Sequence, residues 1–191
     1  MSLRKVYGLF GFSGSGKSSF CSFVESRIDE LTVISQDWFY KKDLSSGTNF
    51  DDPQTLDAKL ILSVLADIVA GKNNISVPIY DFSTHSRTGY REISCKPFVI
   101  FEGHMFPLIA GIKDNLSKLI FYSTPLDVSL NRRILRDYKE RGRGVESICE
   151  QYIRQVRPTA LKIESISNSA DHYVNDDYEG SLLKLNNAGL F

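Results

Sequence analysis

The run Gly11-Phe12-Ser13-Gly14-Ser15-Gly16-Lys17-Ser18 constrains this chain more than any other stretch of its 191 residues. Glycine supplies backbone conformations that side chains forbid, so 11–16 reads as a tight loop. Ahead of it, Val6-Tyr7-Gly8-Leu9-Phe10 is short, apolar and β-prone, which predicts a strand. Behind it, Phe20, Phe23, Val24, Ile28 and Leu31 recur at three- and four-residue spacings, which predicts a helix from 17 to about 31. Strand, glycine loop and helix in that order form the opening unit of an α/β sheet.

The alternation continues. Residues 32–35 (TVIS) read as a second strand, and 41–49 as a polar loop. Asp52 suits an N-cap, Pro53 a first helical position and Gly71 a helix end. Between them Leu56, Leu60, Ile61, Val64, Leu65 and Ile68 form one apolar stripe. Segments 75–80 and 90–94, separated by a polar stretch with Gly89, predict a small antiparallel excursion. Residues 98–101 (FVIF) lack polar alternation, as a parallel strand buried on both faces does, and 118–122 is another. Residues 125–140 predict a basic helix. Residues 145–156 predict a further one that Pro158 interrupts, followed by a last strand at 172–174 and a last helix at 181–185. The expected architecture is a three-layer α/β/α parallel sheet in one domain, 1–191, without internal repeats.

The glycine run fits GxxxxGK[ST] in full, and a random chain of this size matches that pattern on the order of once in a couple of hundred. Consecutive backbone N–H groups wrap a phosphate chain only where no Cβ intrudes, and the following helix aims its positive end at the same point. Lys17 supplies a mobile cation, and the Ser18 hydroxyl a hard oxygen suited to Mg²⁺. The matching acid should end a central strand. Glu102, after four apolar residues and before Gly103, meets that requirement. ATP and Mg²⁺ are therefore the expected cofactors.

A guanine-reading NKxD motif is absent from the sequence. Residues 177–180 (DYEG) match DxxG, but they follow the last expected strand and read as coincidence. The chain is short for a motor ATPase, which leaves a small-molecule kinase as the best class. Such an enzyme needs an acceptor site, a base and arginines for the transferring charge. Asp37, just past the second strand, sits where α/β sheets bind ligands and suits the base. Arg132, Arg133, Arg136, Arg141 and Arg143 fall within twelve residues. They read either as a solvated basic face or as a lid over phosphates at about 125–157, with Gly142 and Gly144 as its hinge.

Lys plus Arg number 23, as do Asp plus Glu, so the formal charge is zero. That weighs against nucleic-acid and anionic-membrane partners, and no apolar run approaches the roughly 18 residues of a membrane span. Cys21, Cys95 and Cys149 are scattered, without CxxC, and the start lacks a long apolar stretch. A reducing, cytoplasmic setting is expected.

In order along most of the chain, GFSGSGKSS (11–19), SQDWFY (35–40), NFDDPQTLD (49–57), PIYDFSTHSR (78–87), FEG (101–103), RRILRDYKERGR (132–143) and then Gln151-Tyr152 resemble the uridine/cytidine kinase family of P-loop kinases. The resemblance implies transfer of the ATP γ-phosphate to the 5′-hydroxyl of a pyrimidine nucleoside. It implies Asp37 as catalytic base beside Lys17, with residues 11–19 (Ser19 included), Arg136 and Arg141 on ATP. Asp51 would hold the ribose hydroxyls, and Tyr40, Tyr80, Phe82 and His85 would lie at the nucleoside. Arg133, Arg143 and Gln151 would line its other side, and homo-oligomer formation is a family expectation.

The chain departs from the family at three places near the expected acceptor pocket. The 41–48 loop is short, Trp38 stands where a small residue is usual, and His104-Met105 follows Glu-Gly where aliphatics are common. These departures keep open a sibling kinase acting on another alcohol, such as pantothenate, ribulose 5-phosphate or nicotinamide riboside. Beyond Pro158 the match is poor, and no adenine contact is assigned there.

Overall fold

The computed structural model describes residues 4–191 apart from Asp43 and Ser46. Five strands form one parallel sheet: β1 (Lys5–Phe10), β2 (Leu31–Ser35), β5 (Phe98–Gly103), β6 (Lys118–Tyr122) and β7 (His172–Val174). Their order is β2-β5-β1-β6-β7, with β3 (Asn74–Asp81) and β4 (Ser86–Ser94) forming a separate antiparallel hairpin. Helices α1 (Lys17–Glu25), α2 (Ala58–Val69), α3 (Leu126–Arg141), α4 (Val145–Gln151), α5 (Arg157–Ser167) and α6 (Tyr178–Asn187) complete the chain.

The pleat of β1 divides the core in two. Val6 and Phe10 enter one cluster with Ile61, Leu65 and Ile68 of α2, Ile75 and Val77 of the hairpin, and Ile163 of α5. Tyr7 and Leu9 enter the other with Phe20 and Val24 of α1 and Leu182 and Leu185 of α6. Helices thus cover both faces of the sheet, giving the three layers the alternation predicts. Because β1 is central and the chain leaves it in both directions, the loops after β1, β2 and β5 open at one sheet edge, where ligands bind in such folds.

Several boundaries differ from the sequence expectations. The first helix ends at Glu25, and Leu31 opens β2 instead of continuing the apolar stripe. Asp52 and Pro53 start only a short 3₁₀ turn; Asp57 caps α2, accepting from the Leu60 N–H. Pro158 does not interrupt its helix. Around Tyr152–Val156 the turns widen, the Arg157 N–H donating five residues back to the Tyr152 carbonyl, and this brings Pro158 into the first turn of α5, where a missing N–H costs nothing. The DxxG match at 177–180 is a helix cap, Asp177 accepting from the Gly180 N–H. No helix among the described residues is long and apolar enough to cross a membrane.

Candidate active site

The glycine loop leaves β1 and enters α1 under tight steric limits. Gly14 has φ +82°, and a Cβ there would meet the Ser129 carbonyl oxygen at 2.5 Å. Gly16 has φ +110° and forms the N-cap of α1. A side chain at either position would be strained, and at Gly14 it would also push α3 away. Two donors hold the loop from behind: Thr124 Oγ1 at 3.1 Å and Arg132 Nη1 at 2.9 Å from the Ser15 carbonyl oxygen. Arg132, which also pairs with Asp176 at 2.9 Å, braces the loop from outside.

Lys17 is buried, its Nζ donating to the Phe12 carbonyl at 2.8 Å. Burial pulls this amine below the ordinary lysine value, against the pull of the Glu102 and Asp37 carboxylates. Glu102 is the penultimate residue of β5. Its Oε1 accepts from Ser35 Oγ at 2.7 Å, and Ser18 Oγ lies 3.5 Å from both carboxylate oxygens. Burial raises the Glu102 carboxyl, with Lys17 opposing.

A cleft of about 1060 Å³ runs from this cradle to the hairpin tip. Ser13, Gly14, Gly16, Lys17, Ser18, Ser19 and Glu102 line one end; Tyr40, Asp51, Phe82 and His85 line the other. Asp37, Arg133, Arg136, Arg141, Arg143 and Gln151 also face it. Gly11, Phe12, Ser15 and Tyr80, expected at the site, are not among its lining residues. The Phe12 ring packs in the core against Phe121, and Tyr80 supports Tyr40 and Phe82 at 5.3 and 5.1 Å. Trp38, expected near the pocket, turns to the hairpin instead, with the Arg91 guanidinium 4.3 Å above its ring.

Asp51 is buried between Arg133, whose Nη2 lies 3.4 Å from Oδ2, and His104, whose Nε2 lies 3.4 Å from Oδ1. Burial pushes its carboxyl up, but His104 and Arg133 together outweigh that and hold it below the usual aspartate value. At the hairpin tip His85 has φ +52°, a left-handed conformation uncommon outside glycine, and its ring stacks on Phe50 at 5.0 Å. Arg87 ties the hairpin to the body, donating to the Tyr40 carbonyl at 2.9 Å and pairing with Asp57 at 3.2 Å.

The arginines converge on a residue that the sequence reading passed over. Asp137 on α3 is fully buried, with Arg136 at 2.9 Å, Arg141 at 3.3 Å, Arg143 at 3.5 Å and Arg133 at 3.7 Å from its oxygens. Its signal was present in the sequence: Arg133 and Arg141 stand one turn before and after it. Phe50, beside Asp51, and Gln36, beside Asp37, were also missed; their roles depend on distant partners.

This cleft joins the glycine loop to a second, carboxylate-bearing pocket, and known proteins share the arrangement's sequence. Uridine-cytidine kinase 2-B of Danio rerio is 36% identical over 80% of this chain and 65% of its own length. Uridine kinase of Pasteurella multocida is 34% identical over 87% of this chain and 83% of its own. Among solved structures, a possible uridine kinase from Bacillus stearothermophilus superposes with TM-score 0.65 at 16% identity, covering 91% of this chain and 89% of that one, a likeness of fold alone. The Phosphoribulokinase / Uridine kinase family matches residues 6–176, and with relatives this similar over most of its length the chain belongs to that family.

Proposed function

We propose that this protein is a nucleoside kinase that transfers the γ-phosphoryl group of ATP to the 5′-hydroxyl of uridine or cytidine. The observation that carries the reading is the buried Asp51, held between Arg133 and His104 in the same cleft as Lys17 and Ser18. A carboxylate at that depth, its contacts long at 3.4 Å, suits a vicinal pair of ribose hydroxyls that donate to it. The aromatic walls, Tyr40, Phe50 and Phe82 with His85, suit a flat base. The named activities of the zebrafish and Pasteurella relatives support the same substrate class.

Each step then has a residue. The loop amides and Lys17 hold the β- and γ-phosphates. Asp37 accepts from the 5′-hydroxyl and aims its oxygen at the γ-phosphorus, taking the proton as the new O–P bond forms and the bond from the γ-phosphorus to the bridging oxygen of ADP breaks. Arg136 and Arg141 move from Asp137 onto phosphate oxygens as the 125–157 segment closes as a lid over one continuous domain. The Ser18 hydroxyl and the Glu102 carboxylate, facing each other at 3.5 Å, are hard oxygens that fit Mg²⁺. Bound there, Mg²⁺ would neutralise charge on the β- and γ-phosphate oxygens.

A coupled ADP-release assay with a panel of alcohols tests the proposal. Turnover that depends on uridine or cytidine is expected. Silence with both, alongside full turnover of pantothenate, ribulose 5-phosphate or nicotinamide riboside, would overturn it.

A further inference from the structure

Gln36 is fully buried, and all its amide valences are directed. Its Oε1 accepts from the Met105 N–H at 2.8 Å and the Phe106 N–H at 2.7 Å. Gly103 makes this possible, because a Cβ there would lie 2.5 Å from that oxygen. Two backbone donors on one atom fix the amide orientation, since the flipped amide would set N–H against N–H. The Gln36 amine must therefore face the other way, and its Nε2 lies 3.2 Å from His104 Nδ1 and 3.4 Å from Asp37 Oδ1. An amine can only donate, so His104 Nδ1 accepts and the ring proton sits on Nε2. That Nε2 is buried without a hydrogen-bond partner, 3.4 Å from Asp51 Oδ1 in the acceptor half of the cleft.

From this chain of donors we infer that His104 is a specificity-determining residue: its Nε2–H donates to the oxygen of one ribose hydroxyl whose own proton goes to Asp51, and Gln36 is the positioning residue that sets the tautomer. Asp51 can only accept, and a sugar hydroxyl both donates and accepts, so a carboxylate alone leaves the hydroxyl oxygen unanswered. The His104–Asp51 couple answers both functions and penalises an acceptor lacking that hydroxyl, because the His104 Nε2–H would then stay buried without an acceptor while Asp51 kept only its long contact with Arg133. The inference rests on the nucleoside reading above.

Two measurements test it. Imidazole ¹⁵N–¹H correlation spectra of the ligand-free wild-type protein should show His104 protonated at Nε2 only; a proton on Nδ1 overturns the inference without reference to any substrate. Kinetics of wild type, His104→Leu and His104→Gln on uridine, 2′-deoxyuridine and 3′-deoxyuridine give the second. His104→Leu should lose about five- to tenfold in kcat/KM on uridine, the size of one hydrogen bond, and lose almost nothing on whichever deoxynucleoside lacks the partner hydroxyl. His104→Gln, whose amide N–H reaches as far as Nε2, should recover part of the loss. An equal loss on all three nucleosides would mean that His104 only shapes the pocket, and the inference falls while the kinase reading stands. A wild-type enzyme that turns over neither uridine nor cytidine removes the nucleoside reading and this inference together.

Discussion

Thr159 donates a 2.6 Å hydrogen bond to the main-chain carbonyl of Asp51, joining residues 108 positions apart. The backbone at Asp51 is thus anchored by the part of the chain whose sequence says least about function. Thr159→Val keeps the shape and removes the donor, leaving a buried carbonyl unpaired at a cost of about 1–3 kcal/mol. The expected results are a lower Tm, by roughly 2–4 °C per kcal/mol, and a raised KM for uridine with KM for ATP unchanged. Thermal melts and steady-state kinetics check both; an unchanged nucleoside KM would detach Thr159 from the site.

On the proposed mechanism Lys17→Ala and Asp37→Ala should each cost about 10²–10³-fold in kcat, since each would remove a group acting on the transferring phosphoryl or its acceptor. Calorimetric titration with ATP separates them. Lys17→Ala weakens nucleotide binding, whereas Asp37→Ala leaves it near the wild-type value.

Asp137 is the counter-charge for several guanidiniums at once. Asp137→Asn keeps its size but leaves Arg133, Arg136, Arg141 and Arg143 facing one another with less negative charge between them. The ligand-free variant should melt below wild type by several degrees, consistent with about 1–3 kcal/mol for hydrogen bonds lost at a buried carboxylate whose partners, Arg133 apart, reach solvent. ATP supplies replacement anionic oxygens, so its addition should raise the variant's Tm by more than it raises that of wild type. Equal shifts would show that the cluster does not meet phosphate.

The lowered carboxyl of Asp51 fixes a sign for pH dependence. A depressed acid contributes stability that is present above the ordinary aspartate pKa and is lost as pH falls through the folded value. Asp51→Asn should therefore be less stable than wild type near neutral pH, by about 1–3 kcal/mol. The gap should close as pH is lowered below the ordinary aspartate range. Urea unfolding across pH measures the gap, and a gap independent of pH would contradict the assignment. The same variant should narrow the preference for uridine over 2′-deoxyuridine.

What the sequence disclosed and what it withheld follow from the range of the interactions involved. That the glycine loop, Lys17, Ser18 and Glu102 lie together was legible because they are contiguous or sit at the end of a strand whose apolar run is itself diagnostic. The strand at 118–122 was read to its limits for the same reason. The end of α1 was missed because Leu31 has the helical spacing yet is claimed by β2 pairing with β5, and tertiary pairing overrides periodicity. Asp137 has Arg133 and Arg141 in register on its own helix and could have been read, whereas Gln36 and Thr159 could not, because their partners are brought near only by the fold. Tyr80 illustrates the reverse case: it belongs to a family-like segment, yet its side chain supports the wall residues instead of lining the cleft.

The β3–β4 hairpin pairs with no strand of the five-stranded sheet. It is fastened instead by side chains such as Arg87, which grips Tyr40 and Asp57. The hairpin is thus joined to the body through side chains, Ile75 and Val77 in the core among them, and shares no backbone ladder with the sheet. The tip of such a hairpin can vary in sequence without breaking a backbone hydrogen bond of the five-stranded sheet.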